Sequence, residues 1–259
     1  MPTLRHALWR LEFEGRMFVS LAIAAVVMGA SLLAFPAEPS ALVLGGAALG
    51  LSSGAALRGG YVVLAAGFGL CSLVRMWAGS LLTPGRVMSF EVRADLFNAE
   101  GPYRLVRHPI YSSDLLALTL LSLCLPWPGL VMPALFYAHY ASITRYEEAA
   151  LARQQGPAYR AFTTEVPRLL PDSRAWRRWP QARQEWRLTR EGVRYNALWL
   201  LLVPGMLVAA VTLRVTDALL IGLPALVDWV VLHIVLERRK GGGPSNGDLH
   251  PGPVTGGSP

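Results

Sequence analysis

Residues 17–35 form a run without a single charged side chain, bounded by Arg16 on one side and Glu38 on the other. As a helix rising about 1.5 Å per residue, the run spans about 28 Å, close to the ~30 Å hydrocarbon core of a bilayer. A chain with such a segment is constrained to a helical membrane architecture, because backbone groups in lipid must be satisfied within the segment. A cleaved signal peptide has a shorter apolar core that ends in small residues. This run ends at Phe35-Pro36-Ala37-Glu38-Pro39, so it reads as retained.

Composition agrees: 53% of the 259 residues are hydrophobic and 16% are charged, against about 25% charged in soluble domains. The net charge of +7 points to a membrane surface and excludes a nucleic-acid partner, because the basic residues flank apolar runs and lack aromatic-glycine interleaving. Cys71 and Cys124 each lie in an apolar run. They form neither a disulfide framework nor a zinc cluster and read as packing residues.

Further apolar runs cover 41–57, 61–82, 115–125, 130–143, 197–213 and 218–236. The expected fold is all-α: a polytopic membrane bundle of about seven transmembrane helices. Arg58-Gly59-Gly60 reads as a turn between the second and third spans, and Pro126-Trp127-Pro128-Gly129 as the turn of a helical hairpin. Gly156 reads as a left-handed helix end, with Pro157 starting the next helix. Arg75 stands inside the third run, where a charge is costly unless it snorkels or faces protein. Asp114, at the head of the hairpin, faces either the site or the interface, while His139, Asp228 and His233 read as groups satisfied between helices.

Eleven Arg between residues 145 and 194, with Trp176, Trp179 and Trp186 among them, read as the cytoplasmic face and its interfacial belt. With three spans before it, a cytoplasmic site puts the N-terminus outside. The expected organisation is 1–74 as N-terminal membrane helices and 75–171 as the core with its hairpin. An Arg/Trp-rich segment with an extra hairpin follows over 172–240, and 241–259 forms a Gly/Pro/Ser-rich disordered tail.

Chemistry-bearing residues gather at the two ends of the first hairpin. Residues 101–111 read Gly-Pro-Tyr-Arg-Leu-Val-Arg-His-Pro-Ile-Tyr, and after the hairpin come Arg145-Tyr146-Glu147-Glu148, Gly156, Tyr159 and Val166-Pro167-Arg168. A hairpin returns both ends to one side of the membrane. Helical spacing lets Glu148 pair with Arg145 three residues earlier. Glu147 shares a face with Ile143 and Leu151, which favours Glu147 as the inward carboxylate.

This ordered set, over 75–171, resembles the isoprenylcysteine carboxyl methyltransferase and phospholipid methyltransferase family of integral membrane enzymes. The resemblance implies S-adenosylmethionine as cofactor and no metal. It implies a multi-pass protein whose cofactor pocket, built by the C-terminal part of the family core, faces the cytoplasm. The methyl acceptor would be a membrane lipid, a lipidated group or a small lipophilic molecule carrying a carboxylate, amine or thiol. Glu147 and Arg145 would then be catalytic, and Tyr103, Arg107, His108, Tyr111, Glu148 and Tyr159 would bind the cofactor. An NADPH-dependent reductase of the sterol reductase type and a non-catalytic membrane protein that keeps the fold are the alternatives.

Overall fold

The computed structural model describes residues 13, 15–82 and 97–241, which are helical with no strands. Most residues before Arg16, residues 83–96 and all but the first residue of the expected disordered tail lie outside these residues.

Helix α1 (Arg16–Ala34) is the uncharged run seen in the sequence. It presents Phe18, Val26 and Leu33 at its surface, 63%, 68% and 84% exposed, as a helix in contact with lipid does. Helix α2 (Ala41–Ala48) is capped by Ser40, whose hydroxyl accepts from Val43 N at 3.5 Å. It has only eight residues, and the chain then turns at Gly50 with φ +72°. The expected span over 41–57 is therefore a short helix followed by a break.

Helix α3 (Ser53–Ser80) starts at a Ser52 cap and continues for 28 residues through Arg58-Gly59-Gly60, where a turn was expected. A helical glycine costs only about 1 kcal/mol relative to alanine, which 28 residues of packed helix absorb. Gly60 also serves packing: a Cβ there would stand 2.8 Å from Leu42 Cδ2, so its absence lets α2 approach.

Helix α4 (Pro109–Leu123), a 3-10 turn (Trp127–Val131) and helix α5 (Met132–Glu165) make the expected hairpin. Its turn is fastened to the α1–α2 loop: Trp127 N donates to Pro39 O at 3.0 Å and Trp127 Nε1 to Glu38 Oε2 at 2.9 Å. Gly156, at φ 56° and ψ −127°, kinks α5 before Pro157 at the expected position, but its ψ lies far from that of the left-handed helix end expected there. His139 on α5 lies 3.2 Å from Ser20 Oγ and 3.3 Å from Arg16 O on α1, the helix-to-helix role expected for it.

Helices α6 (Ser173–Gln184), α7 (Arg190–Asn196), α8 (Val203–Thr212) and α9 (Val215–Gly241) complete the described chain. The C-terminal helices are not an appendage. Helices α7 and α8 and the intervening turn Leu198–Leu202 pack along α3. The α3–α7 contact depends on Gly192, where a Cβ would lie 2.7 Å from Ser80 Cα. One continuous core joins Tyr61, Leu64 and Phe68 of α3, Leu121 of α4, Phe136 and Ile143 of α5, and Leu202 and Met206 beside α8.

Helices α1 and α3 are long and apolar enough to cross a membrane. The α7 pair Arg190–Asn196 with Leu198–Thr212, bent by 53°, makes a third if counted as one span. Those helices mark the chain as membrane-associated.

Candidate functional site

Backbone hydrogen bonds bring the two polar motifs together before any side chain acts. Arg107 N donates to Pro167 O at 2.8 Å and His108 N to Arg168 O at 3.2 Å. Ser112 Oγ adds a bond to Leu169 O at 2.6 Å. The extended residue after α5, Val166, thus leads the chain back beside the start of α4. Pro109 occupies the first turn of α4, where its missing N–H costs nothing, and so fixes His108 as the residue entering the helix.

Across this junction lie the two glutamates of α5, one turn beyond the apolar run 130–143. His108 stands between them. Its Nε2 is 3.2 Å from Glu148 Oε1 and its Nδ1 is 3.4 Å from Glu147 Oε2. Both ring nitrogens therefore face carboxylates, an arrangement satisfied when both carry protons. Burial pulls the His108 pKa down, but hydrogen bonds and charge from Glu147 and Glu148 outweigh it and hold the imidazole above its ordinary value.

Glu148 is the more deeply buried carboxylate, and three cationic side chains surround it. Arg168 donates from Nε at 3.0 Å and from Nη2 at 2.5 Å. Arg107 Nε lies 3.2 Å from Glu148 Oε1 without the alignment of a hydrogen bond. Burial alone would raise the Glu148 pKa, yet the bonds from His108 and Arg168 bring it down to about 2. Glu147 is less buried, its side chain 20% exposed, and accepts a hydrogen bond from Tyr111 OH at 2.9 Å. The Tyr111 ring is 5.2 Å from that of Tyr140.

Two expectations are corrected here. Arg145 is exposed and forms no ion pair with Glu148 among the described residues; Arg168, Arg107 and His108 do instead. Of the two glutamates, Glu148 is the inward one and Glu147 faces the more open side. The α5 helix turns Arg145 away because fully buried Ile143 and Thr144 set the inner face. Tyr159, past the Gly156 kink, is 2% exposed and near the cluster, where burial and the Glu148 charge push its phenol up. Tyr103 is buried in the 3-10 turn Gly101–Arg104 that precedes Arg107.

A second polar cluster lies deeper. Arg75 of α3 pairs with Asp114 of α4, and Trp199 Nε1 donates to the other Asp114 oxygen at 2.7 Å. Both open questions about Arg75 and Asp114 resolve into one buried pair facing protein. Three contributors escaped sequence reasoning. Arg168 was visible only as part of Val-Pro-Arg, while Glu185 and Trp199 lay outside the motif region. Glu185 binds the 3-10 turn, accepting from Gly101 N at 2.5 Å and from Arg104 Nε at 2.9 Å.

The arrangement is a buried charge network with one partly open carboxylate, one partly open guanidinium and adjacent tyrosines. It is suited to a small zwitterion. Comparison with protein families, curated proteins and solved structures returns no match.

Proposed function

We propose that this chain is an integral membrane methyltransferase that moves a methyl group from S-adenosylmethionine to a lipophilic acceptor. The observation that carries the reading is the convergence of His108, Arg107 and Tyr111 with Glu147, Glu148 and Arg168, from motifs about 40 residues apart, on one network. The motif order suits the family resemblance, and the network suits the ligand's charges. The cofactor supplies an activated methyl on a sulfonium centre.

The residues present fit such a ligand. Arg107 Nε is buried 3.2 Å from Glu148 Oε1 but makes no aligned hydrogen bond to it, so its donor is not committed to that carboxylate. Arg168, its side chain 33% exposed, has donor capacity beyond its bond to Glu148. These two would take a carboxylate. Glu147 would take an ammonium, and its charge favours a cation nearby. Tyr111, half-buried beside Glu147, offers an aromatic face for the remainder, while Tyr103 and Tyr159 are buried.

In this account Glu148 is a positioning residue: it holds Arg107, His108 and Arg168 in one geometry. Glu147, expected as a catalytic residue, takes instead the role of the carboxylate that holds the ligand's ammonium. Arg145, being exposed, supports membrane-surface contact better than catalysis. Placement of both reactants in line, with water excluded, supplies most of the acceleration, roughly 7–11 kcal/mol for well-oriented groups.

The fuller reading is a multi-pass bundle with the network on the cytoplasmic side and the acceptor entering from the bilayer. Density of Arg and Trp around α6 supports that orientation. Radiolabelled methyl from S-adenosylmethionine, followed into the lipid and thiol fractions of membranes holding the chain, tests the reading. Incorporation above that of membranes holding Glu147→Ala is expected; equal incorporation contradicts it.

A further inference from the structure

Between residues 173 and 194 the chain carries seven Arg and two Glu. One of those glutamates, Glu185, is occupied by Arg104. Trp176, Trp179 and Trp186 are nonetheless 72%, 42% and 47% exposed, and the exposed arginines include Arg177 and Arg183, while Arg187 lies 4.0 Å from Glu100. Large exposed indoles are costly in water, and beside exposed guanidinium groups they are favourable at a lipid headgroup layer.

The segment sits where such a layer must be. Trp77, near the C-terminal end of the spanning helix α3, packs its ring 4.9 Å from Trp186 and edge-on at 6.3 Å to Trp179. Its indole Nε1 donates to Glu185 O at 3.3 Å. Helix α6 is thus pinned to the end of a membrane span, with Trp176, Arg177 and Arg183 exposed.

The same segment holds the start of the functional site. Glu185 accepts from Gly101 N and Arg104, and Arg178 donates to Arg104 O at 3.4 Å and to Glu165 O at 2.7 Å. Glu165 ends α5, and Arg104 ends the 3-10 turn that leads to Arg107 and His108. Arg178 therefore ties together the two chain segments that flank the site.

The geometry points to α6 and the following residues through Leu188 as a docking surface for an anionic bilayer, coupled through Glu185 and Arg178 to the order of the turn Gly101–Arg104. Lipid charge holds α6 against the headgroups; α6 in turn fixes the segment that delivers Arg107 and His108. The inference rests on the membrane placement and these contacts, not on the methyl-transfer reading.

Hydrogen exchange of the full chain in nanodiscs tests it, with phosphatidylcholine alone compared with a 7:3 mixture of phosphatidylcholine and phosphatidylglycerol. Each arginine at an anionic surface is worth about fivefold in local docking. The anionic discs are expected to slow exchange about fivefold or more in residues 173–188 and in 101–108, with no change in α3. Arg177→Gln with Arg183→Gln, both exposed, is expected to erase the difference in both regions, as is ~1 M salt, which shortens screening from about 10 Å to about 3 Å. Equal exchange in the two discs overturns the docking surface. Slowing confined to 173–188 overturns the coupling.

Discussion

Asp114 and Trp199, 85 residues apart, are joined by a 2.7 Å hydrogen bond from the indole Nε1 to Oδ1, while the other carboxylate oxygen pairs with Arg75. Three elements meet there: α3, the site helix α4 and the C-terminal turn. The C-terminal segment is thereby locked to the helix that begins at His108, and each partner's removal has a distinct cost.

Replacing Asp114 leaves the Arg75 charge buried and unpaired, since the Arg75 side chain is only 10% exposed. Asp114→Ala is expected to destabilise the chain by about 3–5 kcal/mol, whereas Trp199→Phe, losing one bond to a charged group, costs about 1.5–3 kcal/mol. Thermal unfolding in detergent measures both. Adding Arg75→Met to Asp114→Ala should recover part of the loss; no recovery would contradict the pairing.

Gly101 has φ +55°, and a Cβ there would stand 2.5 Å from Leu81 Cδ1 and 3.0 Å from Trp77 Nε1. Gly101→Ala is expected to cost at least the roughly 1–3 kcal/mol of a strained left-handed residue, and to loosen the turn that Glu185 holds. A melting temperature unchanged from the parent chain would count against that geometry.

The pH dependence of stability has two limbs of opposite origin. Glu148 falls from an ordinary 4.5 to about 2 in the folded chain. Its contribution is complete above about 4.5 and is lost as pH drops toward 2. His108 is raised, so its contribution is complete below the ordinary histidine value, about 6.5, and is lost as pH climbs through its folded value. Melting temperature against pH is expected to fall on both sides of this window. Glu148→Gln should remove the acid limb contributed by this residue and weaken the alkaline one, because His108 loses a carboxylate.

Arg145→Gln should change stability by no more than about 0.5 kcal/mol, as for an exposed residue without special contacts. Arg168→Gln strips the donors from Glu148 and should cost several times that. Comparable losses in the two variants would restore Arg145 to the network.

Local features were readable from sequence where a local cause fixes them. The uncharged run 17–35, the Pro126–Gly129 turn and the Gly156 kink each follow from residues within a few positions. The unbroken passage of α3 through Gly59 and Gly60 is not local in origin, since Gly60 serves the close approach of Leu42 from α2. The site was half legible. His108, Tyr111 and the Glu147-Glu148 pair stand out by type and order. The partners of Glu148 do not, since a helical spacing of three names Arg145 while a chain return through Pro167 delivers Arg168. Arg75 and Asp114, 39 residues apart, each looked anomalous alone; only the packing of α3 on α4 reveals them as a pair.

The central claim is that the network around His108 binds S-adenosylmethionine through Glu147. Isothermal titration of the purified chain with S-adenosylhomocysteine, alongside Glu147→Ala and Arg145→Ala, tests it most directly. The account predicts saturable binding by the parent chain, retained in Arg145→Ala and weakened at least tenfold, about 1.4 kcal/mol, in Glu147→Ala. No binding by the parent chain, or undiminished binding in Glu147→Ala, would contradict it.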